Sequence, residues 1–346
     1  MSPNPIVDIQ HLTKKIVDST ILSDISLRLF EGRIGGIIGK SGAGKTTLLR
    51  CLNGLERATS GDICLFGKNV AHLEGDHRHY FQRKIGTVFQ QFHLLKRRTV
   101  FENVAFPLEI RGVPKAVRRD RVMDVLQLVG MNHKVDAYPS ELSGGQSQRV
   151  AIARAIAADV SLLLCDEFTS ALDPETTLEI LALLSELRQR LNLTILLITH
   201  DMSVVREICD DVFVLEHGCL VEEGAIDDIL LRPQNEVTKI LIGSLFKQDL
   251  PHFYQARLSA DPVDSCHVYL RMIFADKVAK EPIIAALVEQ FHLPVNIIAG
   301  HLDHIRETAF GQLIISFPYV PSVMKNVQDY LKMRQVSVEL LGYIHA

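Results

Sequence analysis

Two stretches of this chain carry residue types that bind phosphate, and only one of them is complete. The first, "GKSGAGKTT" at Gly39–Thr47, has the spacing G-x4-G-K-T. Gly39, Ser41, Gly42 and Gly44 make a loop able to turn its N–H groups on an anion, and Thr47 belongs to the same cradle. Lys45 suits the β- and γ-phosphates of a nucleotide, and the Thr46 hydroxyl suits Mg²⁺. The second stretch, "ELSGGQSQRV" at Glu141–Val150, sets Ser143, Gly144 and Gly145 at the opening of an expected helix, where N–H groups also face outward. It has no lysine, so the chain holds one and a half phosphate sites.

Acid–base chemistry comes from "SLLLCDEF". A buried strand ends in Asp166, suited to holding Mg²⁺, and Glu167 follows at once. A carboxylate there can orient and deprotonate an attacking water, an effect of about 10²–10⁴-fold. Alone, such a pair at a strand end is usually a solvated turn. After a phosphate loop it reads as catalytic.

These residues need a sheet to position them. Residues 1–245 alternate short apolar strands with amphipathic helices, the pattern of an α/β domain. "RIGGIIG" predicts a buried strand feeding the glycine loop, and Thr46–Leu55 a helix leaving it. Further strands are expected at Ile85–Phe89, Ser161–Cys165 and Thr194–Thr199, with a helical insertion from about 91 to 158. After a polar stretch with two prolines (246–264, read as a linker), residues 265–346 run βαββαβ, a ferredoxin-like α+β order.

The bulk numbers agree with a globular chain: 346 residues, 47% hydrophobic, 23% charged. A net charge of −4 gives no global basic field for nucleic acid. The six cysteines show no ligand-like spacing and read as reduced small hydrophobes. No secretory signal is apparent, and no apolar run approaches the ~18 residues of a spanning helix. His72, His77 and His79 read as a solvated loop in preference to a metal site.

With these motifs in place, the chain resembles the ATP-binding subunits of ABC transporters over about residues 1–240, and "LSGGQ" at Leu142–Gln146 is that family's signature. The resemblance implies ATP and Mg²⁺ as cofactors and a head-to-tail dimer in which each signature caps the nucleotide on the partner's phosphate loop. It further implies that Gln90 joins the metal and water site to the helical insertion, that Asp173 in "SALD" crosses the dimer interface, and that His200 contacts the γ-phosphate. Three positions depart from the pattern. Ile16, with Val17, stands where an aromatic usually stacks on adenine; Phe168 follows Glu167 in place of a proline or small residue; Ser147 replaces a Gln or Glu on the signature helix.

"QQFHLLKRRTVFENVAFPLEI" together with the tail ending "VELLGYI" is similar to the methionine-importer branch of the family. That likeness implies a separate membrane permease, an indirect substrate-binding partner and a peripheral position on the cytoplasmic face of the inner membrane. It also implies feedback inhibition by methionine bound at the tail, with Asn296 as the candidate ligand residue. On β-strand alternation, Tyr269, Arg271 and Ile273 share a mixed sheet face, read as a subunit contact or an ordinary wet face. Another amino-acid importer, or an exporter or lipoprotein-release system with the tail as a dimerisation module, is the alternative. A soluble ATPase acting on ribosomes or DNA fits less well, since it usually carries two cassettes or a long coiled-coil insertion.

Overall fold

The computed structural model describes residues 5–70, 80–231, 233–246, 250–263, 265–275, 278, 281–305, 308–334 and 336–345. The three loop histidines His72, His77 and His79 lie outside them. The chain divides into two units between Leu241 and Ile242.

In the first unit, β1 (Pro5–Ile16), β2 (Ser19–Phe30), β4 (Ser60–Leu65) and β5 (Lys68–Asn69) form an antiparallel sheet in the order β2-β1-β4-β5. A second sheet runs β10-β9-β3-β8-β7-β6, from β3 (Ile34–Ile38), β6 (Ile85–Val88), β7 (Leu162–Asp166), β8 (Thr194–Ile198), β9 (Asp211–Glu216) and β10 (Cys219–Ala225). All its pairs are parallel except the edge pair of β9 and β10. Strands β3 and β8 are buried at every position, as expected of parallel strands covered on both faces. Because β3, β6, β7 and β8 are parallel, the loops after them open on one edge of the sheet, where ligands of such folds bind. Helix α1 (Lys45–Leu52) leaves the glycine loop after β3.

The insertion is helical as its sequence predicts, with α2 (Val100–Ile110), α3 (Lys115–Leu128) and α4 (Gly144–Ile156) packed on one another. Arginines tie its parts to one another and, through the carbonyl of Arg83, to the residues before β6. Arg111 donates to the carbonyls of Arg83 and Ala158, and Arg121 to those of Ala157 (3.0 Å) and Ile156 (3.4 Å). The unit continues through α5 (Pro174–Leu191), α6 (Met202–Ile208) and α7 (Ile226–Leu231), and α8 (Glu236–Phe246) runs across the division.

The second unit has the expected βαββαβ order: β11 (Cys266–Ala275), α10 (Ile283–Phe291), β12 (Asn296–Ile305), β13 (Thr308–Pro318), α11 (Pro321–Met333) and β14 (Ser337–His345). Its sheet is antiparallel in the order β12-β13-β11-β14. Val268, Leu270 and Met272 face a core that includes Leu287 of α10 and Val327 of α11.

The stretch read as a linker behaves otherwise in part. Leu250, Tyr254 and Leu258, spaced i, i+4 and i+8 around α9 (His252–Gln255), pack on Tyr269, Ile314 and Ile344. Ser259 and Tyr343 then exchange two backbone hydrogen bonds of 2.8 and 2.9 Å. The sheet face read as wet or as a subunit contact is therefore partly covered by the chain's own strap. Three apolar residues, one in the short helix and one on either side of it, hold a segment that is otherwise polar.

Candidate functional site

The glycine loop is shaped by its contacts. Gly39 sits at φ 152°, and a Cβ there would meet the Leu215 carbonyl oxygen at 2.2 Å, so only glycine fits. Lys45 is buried and donates to the carbonyls of Gly39 (2.8 Å) and Lys40 (3.0 Å), drawing the loop around its ammonium. Burial holds the Lys45 pKa below its usual range, against the pull of Glu167 and Asp166. No side chain caps α1, so the first-turn N–H groups of Lys45, Thr46 and Thr47 remain available to an anion, with Ser41 and Gly42 exposed beside them.

Across the loop, Thr46 Oγ1 lies 3.5 Å from Asp166 Oδ1. Burial, and then Glu167, push the Asp166 carboxyl above its usual range. A hydroxyl beside a carboxylate whose ionisation is penalised would suit Mg²⁺, whose charge would relieve that penalty. Val88 is in register with Cys165, so Gln90, exposed two residues on, follows the strand next to the one ending in Asp166.

Glu167 adopts φ 42°, left-handed for a residue that is not glycine, held by its N–H on Ile198 (2.9 Å) and by Ser170 on its carbonyl. Its carboxylate reaches His200 Nδ1 at 3.4 Å, a contact invisible in the sequence, where the two are far apart. The bulky Phe168 turns inward and is fully buried. A cleft of about 450 Å³ opens at this corner, lined by Glu167, Ser170, Leu172, His200, Asp201 and Ser203 among others.

The half site forms a second patch. Ser143 caps α4 in a reciprocal box: its hydroxyl accepts from Gln146 N–H (3.3 Å), and the Gln146 side chain accepts from Ser143 N–H (3.0 Å). This bond uses the Ser143 hydroxyl as an acceptor and leaves its proton free to donate elsewhere. Gly145 lies so close to α5 that a Cβ would meet Thr176 Cγ2 at 2.5 Å. Thr176 in turn is bonded twice to Asp173, the cap of α5, at 2.9 and 2.7 Å. These bonds hold the Asp173 carboxyl below its usual range. Signature and Asp173 are thus one surface. Among the described residues, no hydrogen bond or ion pair joins Ser143, Gly144 or Gly145 to the phosphate loop. Ser147, which replaces a Gln or Glu on this helix, is buried.

The remaining candidates are scattered. Ile16 is half exposed at the end of the β1–β2 hairpin, beside Val17, which is almost fully exposed at φ 54°. Asn296 is exposed at the start of edge strand β12. It does not line the tail's apolar cleft of about 340 Å³, formed by Phe274, Ile283, Ile284, Leu302 and Leu313 with Glu281. Leu302 lies six residues further along the strand, about 20 Å away. Sequence reading missed a groove of about 370 Å³ between the sheet layer and the insertion, lined by Phe89, His93, Phe106, Ile110, Arg111 and Arg154 among others. Among the described residues no helix is long and apolar enough to cross a membrane.

A phosphate loop, a strand-end Asp–Glu pair, a histidine on that glutamate and a capped signature helix on a parallel sheet define an ATPase of the ABC transporter class. The ABC transporter family model matches residues 22–170, and the NIL domain model matches 268–340. Relatives named methionine import ATP-binding protein include one from Rhodospirillum rubrum, 43% identical over 94% of this chain and 92% of its own length. A second, from Desulfitobacterium hafniense, is 43% identical over 97% and 99%. An ATP-binding cassette solved as a dimer in a post-hydrolysis state with ADP and Pi is 33% identical, covers 64% of this chain and 98% of its own, and has a TM-score of 0.58. The chain belongs to the family of methionine import ATP-binding proteins.

Proposed function

We propose that two copies of this chain close head to tail on ATP, hydrolyse it, and drive methionine uptake through a separate permease at the cytoplasmic face of the inner membrane. One observation carries the reading: a complete phosphate loop and a lysine-free half site lie on unconnected surfaces of one chain. Each surface supplies what the other lacks, so a second copy completes both.

The residues present fit a Mg²⁺-nucleotide. Gly39, Ser41, Gly42, Gly44, Lys45 and Thr47 would hold its phosphates, Ile16 would pack on the base, and Thr46, Asp166 and Gln90 would hold the metal. Mg²⁺ when bound neutralises phosphate charge. Glu167 would accept the proton of the attacking water, and His200, 3.4 Å away, would steady that carboxylate and contact the γ-phosphate. Ser143 would donate its free proton to the nucleotide on the other copy, with Gly144, Gly145 and Asp173 alongside. The groove by Phe89 and Ile110, the latter 69% exposed, suits an amphipathic permease helix. A substrate-binding protein would act on the permease's far side, and no nucleic acid is involved.

Methionine at the tail would act as a brake, with Asn296 as a contact. The test is uptake by the complete transporter in vesicles. ATP-dependent methionine uptake should vanish with Lys45→Ala. Methionine on the ATPase side should inhibit the wild type and do so far less with Asn296→Ala. Uptake of another amino acid but not methionine would overturn the substrate; equal inhibition of both proteins would remove Asn296 from the brake.

A further inference from the structure

Arg154 lies on α4, the helix capped by Ser143, yet its guanidinium bonds to a different element. It donates to the carbonyls of Phe92 (2.9 Å) and His93 (2.7 Å), in the loop that begins at Gln90. Phe89 and His93 meet edge-on with ring centroids 5.3 Å apart, folding that loop into a compact bend. Arg154 also lines the groove between the sheet layer and the insertion, next to Ile110 and Arg111. It is half-buried, and among the described residues no carboxylate pairs with it. Withdrawing a cation from water without an acid partner is costly, and an apolar side chain would fill the same space without that cost. A planar fork donating to two successive carbonyls instead fixes the direction of the loop.

We infer that Arg154 is a positioning residue that latches the Gln90 loop to the signature helix, so that movement of one carries the other. From Ser143 to Arg154 is about 16 Å, three turns along one rigid helix. Displacement of the loop, by nucleotide at Gln90 or by a partner in the groove, is thereby passed to Ser143–Gly145. Arg121 does not do this: it bonds to Ile156 and Ala157 at the helix's far end and to Asp159, with no hydrogen bond to the Gln90 loop.

The inference rests on the proposed composite site and is tested in the full chain carrying Glu167→Gln, where closed dimers should persist. ATP-dependent dimer formation is measured by light scattering, and ATP affinity of the monomer by fluorescent-nucleotide displacement. With Arg154→Met, the ATP concentration for half-maximal dimerisation should rise at least tenfold, while monomer affinity changes less than twofold. Arg154→Lys, which reaches one carbonyl, should fall between. Arg121→Met is the control for a merely structural loss and should leave the dimerisation curve in place. An Arg154→Met curve matching the parent's, or a shift equalled by Arg121→Met, would overturn the latch and leave the composite site standing. A parent that forms no ATP-dependent dimer at all would take both down.

Discussion

Glu167 gathers three restraints in one residue: a left-handed backbone, a main-chain bond to Ile198 and a carboxylate beside His200. Such strain persists only where surrounding bonds impose it, and here it aims a base. Glu167→Gln keeps the shape and removes the basicity. It should bind ATP normally, hydrolyse it at least ~10²-fold more slowly and accumulate the nucleotide-bound dimer, read by phosphate release and by size in solution. Hydrolysis near the wild-type rate would place the base elsewhere. At this scale the sequence was most informative. Lys45, Thr46, Asp166, Glu167 and His200 sit at fixed offsets from strand ends, and the parallel sheet brings those ends to one edge; Ser143 is marked instead by the S-x-x-Q cap of its helix. What it could not disclose was Arg154, Arg111 and Arg121, whose partners are distant carbonyls with no side-chain signature.

Between elements, α8 is held at its start by a clasp that no motif announces. Glu222 in β10 accepts the N–H groups of Gln234 (2.8 Å) and Asn235 (3.0 Å), and Asn235 caps the helix by accepting from Val237 N–H (2.8 Å). Burial opposes ionisation of Glu222, but these amides, together with Thr238 and Lys239, outweigh it and hold its carboxyl below the usual range. A depressed native pKa gives stability that is complete above the unfolded value of about 4.3 and is lost as pH falls through the native one. Glu222→Gln should therefore melt earlier than wild type at pH 7, and the gap should close as pH drops below about 4, measured by scanning calorimetry. A gap independent of pH would mean that the charge is irrelevant. The same scale explains the misread linker. Its composition is polar, and the Leu250–Tyr254–Leu258 trio gains meaning only beside the sheet face it covers.

The whole molecule is legible where order along the chain dictates topology, as in βαββαβ, and the proposed second copy is legible only through the half site and the family resemblance, since its contacts lie outside a single chain. In the proposed arrangement the signature surface, tied through Gly145 and Thr176 to Asp173, caps a nucleotide held by the second copy. The most direct test mixes a Ser143→Arg subunit with a Lys45→Ala subunit and measures ATP hydrolysis. Half sites from opposite chains leave one composite site intact in the mixed dimer and the other doubly damaged. The account predicts hydrolysis in the mixture well above either parent homodimer, with one site firing alone. If each chain served its own nucleotide, both subunits would be dead in any combination. A mixture no more active than its parents would contradict the composite site.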